Sequence, residues 1–305
     1  MKKFYSNGKL LLSGEYLILK GATALAAPLN FGQSLETSQS ENKNIIWESY
    51  VYDKLWFSAV IHTDSFKIIE TSDKSIAANL IKVLGEAMQL NKNFLNNTNF
   101  SFVVSKADFD LQWGLGSSSS LISNIAYWAD IDPFLLHKKV ATGSGYDVIC
   151  ARQNGPVFFE LNKNDYSIEE VNFKPSFKEN IYFIYLGNKQ DSSDSVEKFN
   201  LSKRKYKNET VLVSDLTKHI AYSKNLDDFE YYIKEHEYIL SSVLKKKMLK
   251  DERFRDFQGE MKSLGAWGGD FAMITWEDSK NELERYLKSK NINVIFRFDE
   301  LIKTW

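Results

Sequence analysis

Hydrophobic and polar residues alternate along the first third of the chain in a way that predicts β-strands. Residues 33–70 alternate β-branched and aromatic residues with polar ones, which is typical of antiparallel strands with one face in water. Residues 2–19 predict a β-hairpin broken at Asn7-Gly8, and residues 22–27 predict a buried strand that ends at Pro28. The first part of the chain is therefore predicted to be rich in β-sheet.

Helical periodicity begins after this region. Asp73 is the predicted cap of a helix whose apolar residues recur every three or four positions up to Met88. Residues 100–104 predict a further strand, and Asp132-Pro133 predicts the start of a helix over residues 134–141. Strands alternating with helices in this manner favour an α+β domain.

The second half of the sequence repeats the mixture of strands and helices. Residues 181–186 predict a buried strand, and two or three helices are expected between residues 194 and 261. A glycine-rich turn then enters a strand, and a last helix at 278–289 and a last strand at 293–298 follow. The whole chain is therefore predicted to be α+β.

Composition narrows the choice of partner and compartment. A chain of 305 residues with 43% hydrophobic content can bury a large core and usually forms two domains. Its net charge of −1 does not favour nucleic acid or an anionic membrane as a partner. The single cysteine suits a reducing compartment, and no segment has the length of a membrane span, so we expect a cytoplasmic protein. The four histidines lie too far apart for zinc spacing.

The richest chemical signal is a run of glycines and serines directly before the apolar helix at 121–128. The first turn of a helix has unpaired N–H groups, and glycines remove the side chains that would keep an anion away. Serine hydroxyls there can bind phosphate oxygens or Mg²⁺. The run thus predicts a phosphate site, formed by Gly114, Leu115, Gly116, Ser117, Ser118 and Ser119.

Three other interpretations of this run compete with a phosphate site. A Walker A loop is excluded because no Gly-Lys-Ser/Thr closes the run. A dinucleotide-binding fingerprint is a poor match, since Ser119 stands where the third glycine is needed. A plain Ser/Gly linker stays open, although the helix that follows at once argues against it.

Charged residues in unusual surroundings are the other candidates. Asp147 lies between glycines and an apolar run, where it could cap a helix or act as a proton acceptor beside a phosphate. Lys9 and Glu15 stand among apolar strand residues, either as solvated charges of an exposed turn or as a matched buried pair. The residue pattern alone leaves both pairs of alternatives open.

Several segments resemble the motifs of the GHMP kinases, the family of galactokinase, homoserine kinase, mevalonate kinase and phosphomevalonate kinase. Residues 114–120 are similar to the phosphate-binding motif, Gly-Leu-Gly-Ser-Ser followed by small residues. Residues 6–19, with Lys9 and Gly14-Glu15-Tyr16, resemble the first motif, although Asn7 replaces the usual proline. Tyr16 in place of histidine is closer to the phosphomevalonate kinase form.

The remaining motifs are matched less evenly. Residues 143–147, Gly-Ser-Gly-Tyr-Asp, resemble the segment with the catalytic aspartate and are again nearest to phosphomevalonate kinases. Residues 262–275 are similar to the third, glycine-rich motif, but Trp267 and Asp270 depart from its small residues. Residues 135–141 also lack the acid that ligates Mg²⁺ in mevalonate and homoserine kinases. That departure argues against a mevalonate kinase.

This resemblance implies a fold and its domains. The expected fold is the two-domain α+β GHMP architecture, in which ATP binds in a cleft between the halves. Residues 1–164 would form the ATP-binding domain, like domain 2 of ribosomal protein S5, and residues 165–305 a ferredoxin-like domain. The sequence says nothing about oligomeric state.

The resemblance also implies residue roles in an ATP- and Mg²⁺-dependent kinase. Asp147 and Lys9 would be catalytic, the backbone of residues 114–119 would hold phosphates, and Ser118, or Ser117, would help bind Mg²⁺. Candidates for substrate binding are Glu15, Tyr16 and Lys189, of which Lys189 is also explained as a surface lysine.

The expected substrate is phosphomevalonate or mevalonate, because the Gly-Glu-Tyr and Gly-Ser-Gly-Tyr-Asp spellings favour that branch of the family. A sugar or homoserine kinase stays open. So does a non-catalytic member of the family that binds a nucleotide or metabolite.

Overall fold

The structure is a computed structural model that describes residues 1–39, 44–63, 65–95, 100–163, 165–187, 199, 205–265, 267 and 269–305. The chain divides into two compact units. Unit 1 comprises residues 1–8, 31–111 and 115–152, and unit 2 comprises residues 9–30, 112–114 and 153–305. The domain boundary predicted between residues 164 and 165 stays a prediction.

Strands of the first half follow the alternating pattern of the sequence. Strand β2 begins in unit 2 and continues into unit 1, where the strand order is β5-β4-β3-β6-β2. Neighbours in that order are antiparallel except β3 and β6, which run parallel. The bounds are β1 Lys2–Ser13, β2 Ala24–Gln39, β3 Asn44–Val51, β4 Lys54–His62, β5 Ile68–Thr71 and β6 Phe100–Ala107.

Four helices of unit 1 pack against one another. As predicted, Asp73 caps the first, since its Oδ1 accepts the backbone N–H groups of Ser75 and Ile76 at 2.8 and 3.0 Å. The third begins at Pro133 and is capped by Asp132. The second contacts the other three. The bounds are α1 Lys74–Leu90, α2 Ser117–Trp128, α3 Pro133–Val140 and α4 Tyr146–Cys150.

Unit 2 contains a four-stranded antiparallel sheet in the order β10-β11-β9-β12. Helices follow β9 and separate β11 from β12, so the chain order is βαββαβ and confirms the expected ferredoxin-like half. Strand β7 pairs with β8 on one side and with the first residues of β2 on the other. The strands are β7 Val157–Asn162, β8 Asp165–Glu170, β9 Ile181–Tyr185, β10 Met261–Leu264, β11 Phe271–Thr275 and β12 Ile295–Arg297.

Helices of unit 2 complete this arrangement. The first two pack against each other, and the second and third also contact β10. A buried apolar cluster that includes Ile184, Ile274 and Leu283 joins the sheet to the helix after β11. The bounds are α5 Lys207–Tyr222, α6 Leu226–Leu244, α7 Leu249–Arg253, α8 Lys280–Ser289 and α9 Phe298–Leu301.

Two sequence expectations about the first strands are wrong. β1 runs without a break through Asn7-Gly8, and residues 17–20 form a short 3₁₀ helix where a strand was expected. β2 continues past Pro28, which lies between the residues that pair with β7 and those that pair with β6. Proline is tolerated there because β7 and β6 require no hydrogen bond from its nitrogen.

Residues near both ends of the chain meet in unit 2. Leu29 forms an isolated antiparallel bridge with Ile302. The side chain of Asn30 donates to the carbonyl oxygen of Asp299 at 2.8 Å. Unit 2 is therefore closed by contacts between its earliest and latest segments.

Within the described part of the chain, every helix is too short or too polar to traverse a bilayer.

Candidate active site

Two glycines with left-handed backbone shape the loop before α2. Gly114 has φ +70° and Gly116, the residue before the helix, has φ +95°, a region that side chains disfavour. Gly116 has no side chain that could cap the helix, and no side-chain cap hydrogen bond is made at this residue. The first-turn N–H groups of α2 can therefore bind an anion.

The start of α2 is fixed from beneath by a buried polar network in unit 1. Ser120 donates to the side-chain oxygen of Gln33 at 2.7 Å, and the Gln33 amide donates to Ser105 at 2.7 Å. One turn later, Asn124 donates to the backbone oxygen of Gln33 at 2.8 Å and accepts from Ser6 at 2.9 Å. This network orients α2, while Ser118 on the same helix stays exposed.

Gly114 lies against a carboxyl group from the third glycine-rich segment. A Cβ atom built on Gly114 would stand 2.1 Å from Oδ2 of Asp270, so no other residue fits without displacing that carboxyl group. The Lys9 ammonium donates to the carbonyl oxygen of Gly114 at 3.4 Å. Within unit 2, Lys9 and Asp270 thus both contact the beginning of the glycine loop.

Asp147 lies in the first turn of α4, a helix that packs on α2 within unit 1. Its Oδ1 accepts the N–H of Val148 at 3.0 Å and lies 3.8 Å from Nε2 of His137. Its side chain is 28% exposed, so a ligand can reach it. Asp147 is not the cap of α4, because Gly145 occupies that position and no side chain caps the helix from it; a role for Asp147 at a phosphate site stays a prediction.

Glu15 is half of a buried ion pair, which settles the choice that the sequence pattern left open for this residue. The Lys262 ammonium donates to Glu15 Oε1 at 2.5 Å and to the Ser263 carbonyl oxygen at 3.1 Å. Glu15 is 2% exposed and Lys262 is fully buried. Lys9, by contrast, is half-buried and does not supply this partner. The pair joins the turn after β1 to strand β10.

Two further buried ionisable residues from α6 surround this pair. His236 Nε2 accepts the backbone N–H of Gly14 at 3.0 Å, and burial lowers the pKa of His236 well below its ordinary value. Glu237 accepts the N–H of Ser263 at 3.1 Å, and burial raises its pKa from 4.5 to about 7. We call Glu15, His236, Glu237 and Lys262 the buried charge cluster.

Tyr16 connects the first motif to the third. Its backbone is left-handed, with φ +60°, and its hydroxyl accepts the N–H of Trp267 at 3.1 Å. The Trp267 indole donates in turn to the Lys247 carbonyl oxygen at 3.0 Å. Trp267, which departs from the family's small residues, is thereby held as a buried anchor.

The predicted site residues fall into separate groups. In unit 1, the serines of α2 and Asp147 lie on helices that contact each other. In unit 2, Lys9 contacts Gly114, whereas Glu15 and Tyr16 are buried and bind other protein groups. Lys189 lies outside the described residues. The assigned roles of all these residues stay predictions.

Sequence reasoning missed the partners that hold Glu15. His236 has the helical spacing of the apolar residues Ile233 and Leu240, and it is buried with them. Lys262 carried a small signal, because it lies between Met261 and Leu264 in a short strand, and a lysine that such a strand buries requires an anion. Glu237 gave no such signal, since acids are common on helix surfaces.

The loop suits a nucleotide phosphate better than a directly ligated metal. Bare glycines and open first-turn amides fit phosphate oxygens. No cluster of three or more histidine, cysteine or acidic side chains that could hold a metal occurs among the described residues. A Mg²⁺ ion would therefore depend on the Ser118 hydroxyl, on nucleotide phosphates and on water, as this ion often does.

Removing the buried cation should destabilise unit 2 strongly. In Lys262→Met the carboxyl group of Glu15 loses its charge partner, and we expect a loss of about 3 to 5 kcal/mol in the free energy of unfolding. The double variant Glu15→Gln, Lys262→Met should recover more than half of that loss. Urea unfolding measures both, and a single variant within about 1 kcal/mol of the parent would contradict the arrangement.

Glu237 should make stability depend on pH. With a pKa of 4.5 unfolded and about 7 folded, it favours the folded state below pH 4.5 and loses that contribution as pH rises towards 7. The free energy of unfolding of Glu237→Gln, relative to that of the parent, should therefore rise by about 3 kcal/mol between pH 5 and pH 8. The lowered pKa of His236 destabilises the folded state as pH falls below 6.5, but this effect is the same in the parent and in the variant. Urea unfolding at each pH, with exposed Glu252→Gln as control, tests this; parallel profiles would refute it.

Comparison with known proteins shows where this fold occurs. No protein-family model matches the sequence, and no curated protein matches it. Solved structures do match. A mevalonate kinase from Methanococcus jannaschii superposes with a TM-score of 0.73 at 16% identity, covering 100% of this chain and 98% of that one.

Two other solved structures, both of kinases, also match. A Streptococcus pneumoniae phosphomevalonate kinase, in complex with phosphomevalonate and AMPPNP, gives a TM-score of 0.71 at 17% identity, covering 97% of this chain and 100% of that one. A Lactococcus lactis galactokinase complexed with galactose gives 0.65 at 12% identity, covering 95% and 88%. The chain therefore has the α+β fold of the GHMP kinases.

Proposed function

We propose that the protein is an ATP-dependent small-molecule kinase that transfers the γ-phosphoryl group of ATP to phosphomevalonate or mevalonate. The observation that carries the proposal is the open first turn of α2, which follows two left-handed glycines and whose loop carbonyl at Gly114 binds Lys9. An open helix turn that follows bare glycines suits a polyphosphate. The fold, shared with kinases of this type, agrees with it.

The phosphate groups would be held by backbone amides of the glycine loop and the first turn of α2. ATP supplies the transferable phosphoryl group, and Mg²⁺ with the Ser118 hydroxyl would neutralise part of its charge. Because charge in this transition state spreads over phosphoryl oxygens, fixed N–H groups and cations contribute most of the catalysis. The rigid network under α2 keeps those donors in place.

Asp147 is proposed to orient the acceptor and to take its proton. For an alcohol acceptor, the carboxylate removes the proton as the oxygen attacks. For a phosphate acceptor the attacking oxygen is already ionised, so Asp147 would mainly position the group. Lys9 would lower the pKa of an acceptor hydroxyl.

The proposed choice of substrate depends on the first motif and on the segment that carries Asp147. Gly14-Glu15-Tyr16 and the segment 143–147 resemble the forms of these motifs in phosphomevalonate kinases. Glu15 and Tyr16 are buried and bonded to other protein groups, so we propose that they shape the substrate pocket through the turn that they hold. Lys189 is retained as a candidate for an anionic substrate group.

A kinase for a sugar or homoserine and a non-catalytic binding protein are the other candidates. The first is favoured by the galactokinase match. The second is favoured by Asp270 and Trp267 in the third motif and by the absence of an acid in residues 135–141. Retention of Lys9 and Asp147 argues against it, since binding alone does not require them.

An ADP-release assay across four acceptors separates these candidates. With ATP and Mg²⁺, we expect turnover with phosphomevalonate or mevalonate and at least about 100-fold lower kcat/KM with homoserine and galactose, a gap that unpaired polar contacts can create. The preferred acceptor is identified by comparing kcat/KM values. Nucleotide binding without ADP release from any acceptor would instead favour the non-catalytic candidate.

Asp147→Asn tests the catalytic assignment directly. The amide cannot take a proton, so we expect turnover to fall about 100- to 10,000-fold while ATP affinity stays within about threefold. Isothermal titration with a non-hydrolysable ATP analogue and the ADP-release assay measure the two effects.

Asp165→Asn is the matched control for this change. Asp165 is an exposed aspartate whose Oδ1 also accepts the next residue's N–H, at 2.8 Å. This control should behave like the parent protein. Equal turnover in Asp147→Asn and Asp165→Asn would exclude Asp147 from the chemistry.

A further inference from the structure

His137 is a buried polar side chain that the proposed mechanism has not used. It lies on α3, and its side chain is 4% exposed. Its Nδ1 has no hydrogen-bond partner within the described part of the chain. Its Nε2 faces Asp147 Oδ1 at 3.8 Å, which is just beyond hydrogen-bond distance. A leucine would fill such a position without leaving a buried nitrogen unpaired.

The loop before Asp147 is built to lie close to this histidine. Gly145, with φ +75°, begins α4, and a Cβ atom there would stand 2.7 Å from the Phe134 ring and 3.4 Å from Nδ1 of His137. The absence of a side chain at Gly145 therefore allows the backbone beside Asp147 to pack directly on α3. The approach of His137 to Asp147 depends on this contact.

We propose that His137 is a positioning residue that holds the carboxylate of Asp147 for phosphoryl transfer. This inference rests on the proposed function. Both contacts of the Asp147 carboxyl group in the described part of the chain involve Oδ1, through Val148 N–H and His137. A hydrogen bond from Nε2 to Oδ1 would direct Oδ2 towards the acceptor hydroxyl. Closing the gap needs about 1 Å, and catalytic hydrogen bonds often tighten when substrate binds.

The first test does not depend on turnover. In protein labelled with ¹⁵N-histidine, the His137 signals are those lost in His137→Leu. If Nε2 carries a proton towards Asp147, the Nε2 resonance in the ATP-analogue and acceptor complex should move in Asp147→Asn but not in Asp165→Asn. An unchanged resonance would overturn the proposed contact.

The second test separates positioning from simple packing. We expect His137→Leu to lower kcat about tenfold or more while the KM for ATP stays within about twofold, because the carboxylate loses its orientation. His137→Gln, whose amide N–H can reach the position of Nε2, should recover most of that loss. Replacement of the exposed His219 by leucine is the control. A kcat for His137→Leu equal to that of the parent, or no recovery in His137→Gln, would contradict the role.

These tests distinguish failure of the inference from failure of the proposed function. A parent protein that releases no ADP with any acceptor refutes the kinase, whereas the ¹⁵N shift still decides whether His137 contacts Asp147. An active parent whose Nε2 signal ignores Asp147→Asn refutes the inference alone.

Discussion

The buried ion pair between Glu15 and Lys262 is the interaction on which unit 2 depends most. An ammonium group that is fully removed from water is tolerated only when an anion and hydrogen-bond acceptors surround it. Glu15 supplies the anion from the turn after β1, and Lys262 belongs to β10, which is far away in sequence. The first and third motif segments are therefore fixed to each other by charge as well as by packing.

This electrostatic bond has a consequence for the glycine loop. Tyr16 follows Glu15 and holds the backbone at Trp267, three residues before the aspartate that lies against Gly114. Lys9, on the strand that precedes Glu15, contacts the carbonyl oxygen of the same glycine. Groups that we propose to lie near a phosphate are thus supported by the buried charge cluster. Buried ionisable residues thus stabilise the fold, whereas partly exposed ones are the candidates for ligand binding.

Much of the fold could be predicted because local signals and tertiary structure agree. The caps at Asp73 and Asp132, the buried strand at 181–186 and the βαββαβ order of unit 2 all follow from residue patterns. The continuity of β1 through Asn7-Gly8 and of β2 through Pro28 could not be predicted, because strand pairing outweighed the preference of these residues for turns.

The candidate site was predictable in part, for a similar reason. Glycine and serine at the start of a helix predict an anion site from local sequence. The roles of Lys262 and His236 depend on partners that are distant in sequence. His137 is the intermediate case. Its helix was predicted, but its approach to Asp147 depends on the packing of Gly145 against α3. A one-dimensional pattern cannot show that contact.

The meeting of Leu29 and Asn30 with residues 299–302 bears on how the protein is made. Synthesis on the ribosome delivers Leu29 and Asn30 long before residues 299–302, so these contacts can form only after both segments have been made. Unit 1 receives its last residues at 152 and could mature first. Contacts of such sequence separation slow folding. In a nascent chain Leu29 and Asn30 would lack these partners, although the start of β2 could already pair with β7.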